Sequence, residues 1–305
     1  MNRKSQNPEM VFKANAKTFA LAARFLSRAR YDAVARLYYF CRYLDDLADA
    51  APAGCNNEKL LALRDDFIQG VSDDPVMADL LVLQQVFGIP ANLVMDFIDA
   101  LIADQWPRHL QTQDELVRFC YGVASTVGLM MCHLFGVKNP RAYPFAVDLG
   151  VAMQMTNICR DILEDAERER VYLPAETLQG RATALGIAEG DSQQRAVAFQ
   201  AAVKLLGIAD EYYASAQQGY GFLPVAVRQA IKVAARLYQA IGDKVVAQPE
   251  QYWQRRTVVA NTTKCRLIGQ LLGQRITEGS STLIVQTAKH RPRLHKALDT
   301  QRFGT

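Results

Sequence analysis

The chain has 305 residues, half of them hydrophobic, and a net charge of only +4. That is enough for one large domain or two small ones with a sizeable core. A signal peptide is not expected from the polar start Met1 to Glu9, nor a transmembrane helix from a chain without eighteen uninterrupted apolar residues.

From Ala14 onward the apolar residues recur at helical spacing, and glycine and proline fall between helical segments, so the predicted fold is all-α. A first helix is predicted over about Lys17 to Ser27, a second from Asp32 to the loop Ala51-Pro-Ala-Gly54, and a third near Lys59 to Ile68. Ser72-Asp-Asp-Pro75 supplies caps and a first-turn proline for the next, which Gly88 and Pro90 separate from one at Asn92 to Asp104. Thr112-Gln-Asp-Glu115 has capping-box spacing and opens an apolar helix reaching Gly136. Its segment Val123-Ala-Ser-Thr-Val-Gly128 suits either tight helix packing or the approach of a slender ligand.

Further helices are predicted at Arg141 to Glu167, Gln193 to Gln217, Pro224 to Val246 and Arg255 to Thr277. No repeat or composition shift marks a boundary, so residues 1–288 are read as one bundle-like domain. Residues 289–305 form a basic tail, with Lys289, Arg291, Arg293, Lys296 and Arg302 against Asp299. Lacking a dense basic run and interleaved aromatics, it predicts no nucleic-acid partner. It is read as solvated and partly disordered, and contact with anionic lipid stays open. Its removal is expected to leave catalysis intact. The six cysteines show no CxxC pair and read as reduced, mostly buried cytosolic thiols.

Two stripes carry the chemistry. Tyr38, Arg42, Asp45 and Asp49 follow at steps of three and four and so share one helix face, beside the mostly apolar Leu37, Cys41, Leu44 and Ala48. Carboxylates at this spacing repel by several tenths of a kcal/mol even when exposed, and burial raises that cost. Alone, such a stretch is most simply a solvated face. A second stripe, Gln154, Asn157, Asp161 and Asp165, borders Val151, Met155, Ile158 and Ile162. Two such helices are most economically placed face to face with divalent cations between them. Oxygen donors without histidine favour Mg²⁺ or Mn²⁺ over zinc, and the Glu-x-x-His pairs of a di-iron bundle are absent. Magnesium commonly shares carboxylates with substrate phosphates, which Arg42, Arg160 and Arg170 would neutralise. Singly, each arginine is equally an ordinary ion-pair partner.

Asp45-Asp46-x-x-Asp49 and the run Leu149-Gly-x-x-x-Gln154-x-x-Asn157-Ile-x-Arg160-Asp161-Ile-x-x-Asp165-x-x-x-x-Arg170-x-Tyr172-x-Pro174 resemble the two aspartate-rich signatures of the squalene/phytoene synthase family. The resemblance runs from about Asn15 to Arg236-Leu-Tyr238-x-x-Ile-Gly242. It departs at Ala16, where a serine usually precedes Lys17-Thr18-Phe19, and at Phe119-Cys120, where the family has Tyr-Cys.

The resemblance implies an all-α isoprenoid synthase fold with a central cavity, in which two allylic prenyl diphosphates are joined head to head through a cyclopropylcarbinyl diphosphate. It implies that Asp45, Asp49, Asn157, Asp161 and Asp165 hold Mg²⁺. Lys17, Thr18, Arg42, Asp46, Arg160 and Arg170 are placed at the diphosphates, and Tyr38, Gln154, Tyr172 and Tyr238 beside them. The implied catalytic set is Arg42, Asp45, Asp49, Asp161, Asp165 and Tyr172. Val123, Thr126, Val127, Met130 and Met131 are candidates for an apolar wall that shields a carbocation from water. A phytoene synthase-like enzyme acting on two geranylgeranyl diphosphates is favoured, by a short chain without a C-terminal anchor or GxGxxG fingerprint. Squalene, presqualene diphosphate or dehydrosqualene synthesis from farnesyl diphosphate remains an alternative, with NADPH needed only for the squalene type. A non-catalytic scaffold of the same fold is another. The expected location is the cytoplasm, with contact to the inner membrane face left open, and oligomeric state is not legible.

Overall fold

Punctuation residues set helix ends where their chemistry predicts. The computed structural model describes residues 7–16, 20, 23, 26–50, 53–106, 109–274 and 288–303. Its helices are α1 (Pro8–Asn15), α2 (Arg28–Ala48), α3 (Asn57–Gln69), α4 (Pro75–Phe87), α5 (Ala91–Ala103), α6 (Gln113–Leu134), α7 (Tyr143–Ala166), α8 (Ala175–Leu178), α9 (Ala184–Glu189), α10 (Ser192–Gln218), α11 (Val225–Ala247), α12 (Pro249–Tyr252) and α13 (Asn261–Gln274). Gly70 and Gly88 close α3 and α4 in the left-handed conformation, at φ 73° and 62°. Asp74 caps α4 by accepting from Val76 N at 3.0 Å. Thr112 accepts from Glu115 N, while the Glu115 carboxylate accepts from Gln111 N, one residue before the capping-box position.

The fold is all-α: among the described residues no strand forms, and His109 and Val171 make one isolated bridge. Helix α7 lies along α10 and also packs on α6 and α11. A π turn at Tyr121–Ser125 interrupts α6, where Ser125 Oγ donates to Val147 O at 2.9 Å and ties the turn to α7. Helix α6 is long and apolar enough to cross a membrane by length and composition. Its Leu116, Val117, Phe119, Cys120, Leu129 and Met130 are buried against neighbouring helices.

Several expectations change. Most of the predicted helix at 17–27 falls outside the described residues, and α2 begins at Arg28, four residues before Asp32. The predicted start of the last helix at Arg255 is wrong: residues 253–260 are a loop before α13. The β-branched run Thr257-Val258-Val259 disfavours helix there. Cys120, Cys132 and Cys159 are buried, but Cys55 and Cys265 are exposed, and all six are free thiols.

The tail is corrected in part: its charged side chains Lys289, Arg291, Arg293, Lys296, Asp299 and Arg302 are exposed, but residues 288–303 are packed against the bundle. Arg141 Nη2 donates to Ala288 O at 3.2 Å and Tyr212 OH to Leu294 O at 2.7 Å. Arg293 pairs with Glu211 at 2.7 Å and Arg302 with Asp96, while Asn92 Nδ2 donates to Arg302 O. His295 and Phe303 are only 4% and 5% exposed. Truncation after residue 287 is therefore expected to cost about 3 kcal/mol or more, from Phe303 burial and the partners left behind. A melting temperature unchanged by truncation would restore the solvated reading.

Candidate active site

Along α2, Tyr38, Arg42, Asp45, Asp46 and Asp49 keep partial exposure while their neighbours Leu37, Leu44 and Ala48 are buried. Along α7 the same holds for Met153, Gln154, Asn157, Arg160, Asp161, Glu164 and Asp165. Accessible polar stripes on helices otherwise enclosed by packing mark a recess between helices. The segment just beyond α7 meets the end of α2, where the Asp49 charge also acts on Asp165. Arg170 Nη1 reaches Asp49 Oδ1 at 2.5 Å and Arg168 Nη1 reaches Asp49 Oδ2 at 3.0 Å. A tight turn presents these arginines: Asp165 O accepts from both Arg168 N and Arg170 N at 3.0 Å, and Glu169 between them takes φ 61°. A left-handed conformation costs a non-glycine residue roughly 1–2 kcal/mol, which the paired hydrogen bonds offset.

Each remaining arginine neutralises a carboxylate. Arg42 reaches Asp45 at 3.0 Å and Asp46 at 2.6 Å. Asp161 accepts from its neighbour Arg160 and, at 3.0 Å on both oxygens, from Arg256. Burial acts to raise the Asp161 carboxyl, but the hydrogen bonds and charges of Arg160 and then Arg256 outweigh it and hold it below the usual range. Asp165 has no ion-pair partner among the described residues. Burial, then the Asp161 charge, pushes its carboxyl up to about 8, against the pull of Arg168. Asp45 keeps 42% of its side chain accessible, yet dense surrounding protein and then Asp49 push it up to about 6. Accessible and poorly solvated at once is the condition of a group lining a narrow recess.

The donor set fits a divalent cation of the magnesium class. Among the described residues Asp165 is an oxygen donor without an ion-pair partner, the Asp45 carboxyl is raised by burial and Asp49 despite Arg42, and Asn157 Oδ1 is buried without a hydrogen-bond partner while its Nδ2 donates to Gln154 Oε1 at 3.3 Å. Such a cation would supply what all three lack.

Tyr38 and Tyr238 are partly exposed and within electrostatic reach of each other; burial pushes the Tyr38 hydroxyl up to about 12. Tyr238 also senses Arg160 and Asp161. Tyr172 is set behind the cluster: it is buried, stacks on Phe119 at 4.8 Å, and donates its hydroxyl to Asp104 Oδ2 at 2.8 Å. Lys17 and Thr18 lie outside the described residues. Of the apolar wall, Val123 and Val127 are partly exposed, joined by Ala124, whereas Thr126, Met130 and Met131 are core. The small-residue segment thus bears out tight helix packing on its buried face and keeps a second face partly accessible.

Sequence reasoning missed Arg256 and Asp104. The first sits in the 253–260 loop, within the part of it, from Arg255 onward, that the spacing predicts as helix, and the β-branched run beside it is the available signal. The second was the last residue of a predicted helix; its charge acts on Asp165 and Arg170. At Arg170 burial opposes the charge, but Tyr172, Asp49 and Asp104 hold the guanidinium protonated above its ordinary range.

Residues 12–263 match the family model described as squalene/phytoene synthase. A phytoene synthase of Pseudescherichia vulneris is 34% identical over 275 residues, 85% of this chain and 88% of that protein. A 15-cis-phytoene synthase of Enterobacter agglomerans is 33% identical over 91% of this chain and 96% of that protein. A solved dehydrosqualene synthase in complex with ligand superposes with a TM-score of 0.76 at 27% identity, over 89% of this chain and 96% of that one. The fold is that of the isoprenoid synthases, and the chain belongs to the squalene/phytoene synthase family.

Proposed function

We propose that the chain is a divalent-cation-dependent prenyltransferase that joins two geranylgeranyl diphosphates head to head, through a cyclopropylcarbinyl diphosphate, to give phytoene. The observation that supports this reading is the approach of the two acidic stripes, with Arg168 and Arg170 reaching Asp49 and the Asp49 charge acting on Asp165. Relatives named phytoene synthase, matched over 85–91% of the chain, support the choice of product.

Asp45, Asp49, Asn157, Asp161 and Asp165 would hold Mg²⁺, with Mn²⁺ as a substitute, and the bound cation supplies stabilisation of the departing diphosphate. The arginines have a second role. Arg42, Arg160 and Arg170 now satisfy Asp45, Asp46, Asp161 and Asp49. Once cations neutralise those carboxylates, the same guanidinium groups are free to donate to diphosphate oxygens, which accept in the same charge-assisted geometry. Val123, Ala124 and Val127 exclude water from the allylic carbon as positive charge develops there. Tyr172 positions Asp104, and through it Arg170.

Purified protein incubated with C15 or C20 diphosphate and Mg²⁺ is expected to release diphosphate and yield a C40 hydrocarbon from the C20 substrate without NADPH. A C30 product made only from C15 substrate would move the assignment to dehydrosqualene or presqualene diphosphate synthesis, and an NADPH requirement to squalene synthesis. A folded sample releasing no diphosphate from either substrate would overturn the enzyme and leave a scaffold.

A further inference from the structure

A second cluster lies apart from the acidic recess, where the C-terminal segment crosses the first third of α7. Asp148 is 0% exposed, and both of its carboxylate oxygens face an imidazole. His295 Nε2 is 2.8 Å from Oδ1 and His290 Nε2 is 3.1 Å from Oδ2. The two rings are tilted against each other at 4.3 Å between centroids. Donor atoms from all three residues lie within 4.8 Å of one another.

A hydrogen-bond network alone leaves this arrangement unfinished. Although Asp148 Oδ2 and His290 Nε2 approach closely, they are not aligned for a hydrogen bond, and both are buried without a partner among the described residues. Ser215 Oγ, beside the same carboxylate on α10, is also buried without a well-formed partner. Buried polar atoms are nearly always satisfied, so unsatisfied groups converging on one point call for a missing partner. Apolar rings surround the cluster: Phe145 meets His290 edge-on at 5.5 Å and Phe303 meets His295 at 5.1 Å. Burial acts to raise the Asp148 carboxyl, but its contacts with His290 and His295 hold it below the usual range, so an anionic oxygen donor stands beside two imidazoles, a set that a cation can bind.

We propose that Asp148, His290 and His295 form a binding site for a transition-metal cation of the zinc class, which fastens the C-terminal segment to the bundle. Imidazole nitrogen with carboxylate oxygen is the donor set such ions take, and it is distinct from the oxygen-only recess suited to magnesium. Tetrahedral coordination at bond lengths of about 2.0–2.1 Å separates ligand atoms by roughly 3.3 Å, so the carboxylate–imidazole spacings of 2.8 and 3.1 Å need only small adjustment. Three protein donors leave a fourth position for Ser215 Oγ or water. His290, 16% exposed, provides the way in from solvent. The ligands come from α7 and from residues more than a hundred positions later, so the bound ion cross-links the fold and its binding energy adds to stability.

The test uses the full chain, stripped with chelator and held in excess Mg²⁺ so that the oxygen-only recess is occupied. Titration with Zn²⁺ alone is followed by calorimetry and thermal melting, and Co²⁺ is substituted for its visible absorption. The expected result is about one Zn²⁺ per chain with a raised melting temperature, and Co²⁺ bands of four-coordinate intensity. His290→Ala, at the accessible ligand, is expected to fold, to weaken Zn²⁺ binding at least about tenfold by the second-ligand loss, and to abolish the thermal shift. His295→Gln, which keeps a polar group in the core, provides the second variant. Binding unchanged in both variants, or no Zn²⁺ bound to the wild-type chain, overturns the proposal; in the latter case the trio is a hydrogen-bond network only.

Discussion

Asp165→Asn is expected to lower turnover about a thousandfold while making the metal-free fold less sensitive to pH. Asparagine keeps the shape and one donor oxygen but removes the charge that a divalent cation needs. In free-energy terms a thousandfold loss is about 4 kcal/mol of transition-state stabilisation. Helical content and fold should be retained, because Asp165 has no ion-pair partner among the described residues to leave stranded.

The pH signature follows from the raised carboxyls. The unfolded chain loses the Asp165 proton near pH 4, whereas the metal-free fold keeps it until about 8. Between those values the folded state binds more protons than the unfolded state, so stability falls as pH rises. Asp45, pushed up to about 6, adds to the same slope over its lower part, from about pH 4 to 6. Chemical denaturation in chelator is therefore expected to show declining stability from pH 6 to 8, and Asp165→Asn should flatten that segment. Mg²⁺ should flatten it too, since a cation takes the place of the proton; its affinity should climb over the same interval as protons are released. A flat profile for the metal-free wild type would contradict the burial assigned to Asp165. Asp161 makes the contrast. Its removal leaves Arg160 and Arg256 without the carboxylate they share, so Asp161→Ala should lose activity and stability together.

What was legible in the sequence is what local rules govern. Periodicity placed both acidic stripes on helices, and caps such as Asp74 and Gly88 ended helices where backbone chemistry requires. Spacing put Asp45 and Asp49 on one helix face and Asp161 and Asp165 on another, and the structure brings Asp49 within electrostatic reach of Asp165. Contacts between distant segments were not legible. Arg256 meets Asp161 across 95 residues of chain, and no spacing rule links a loop arginine to a helix carboxylate. Likewise Tyr172 carried a family signature, but only tertiary packing shows that its hydroxyl belongs to Asp104. The tail was misread in part because composition registered its cations, while Phe303 and His295, which anchor it, are isolated residues without periodicity. Prenyl chain length was not legible, since it depends on the depth at which helices close a recess.

Gly150→Ala is expected to destabilise the protein by about 3 kcal/mol, although alanine is favoured over glycine in a helix by about 1 kcal/mol. A Cβ at Gly150 would lie 2.5 Å from Ser125 Cα and 2.7 Å from Ser125 N, so α7 touches the π turn of α6 backbone to backbone. No side chain can swing aside, and Ser125→Gly should not rescue the variant. Gly186 provides the control. The atoms nearest a Cβ there are those of the Gln194 amide, the end of a flexible side chain, so Gly186→Ala should cost little beyond that amide's bonds to Thr183. Equal melting temperatures for the two variants would sink the argument. The consequence also reaches the site: Gly150 lies one helical turn before Gln154, and Val123, Ala124 and Val127 flank Ser125. Forcing the helices apart should therefore move the acidic stripe of α7 relative to the small-residue segment of α6. Gly150→Ala protein that remains folded at low temperature is expected to ionise substrate more slowly and to lose a larger share of its intermediates to water, measurable as prenyl alcohol among the products.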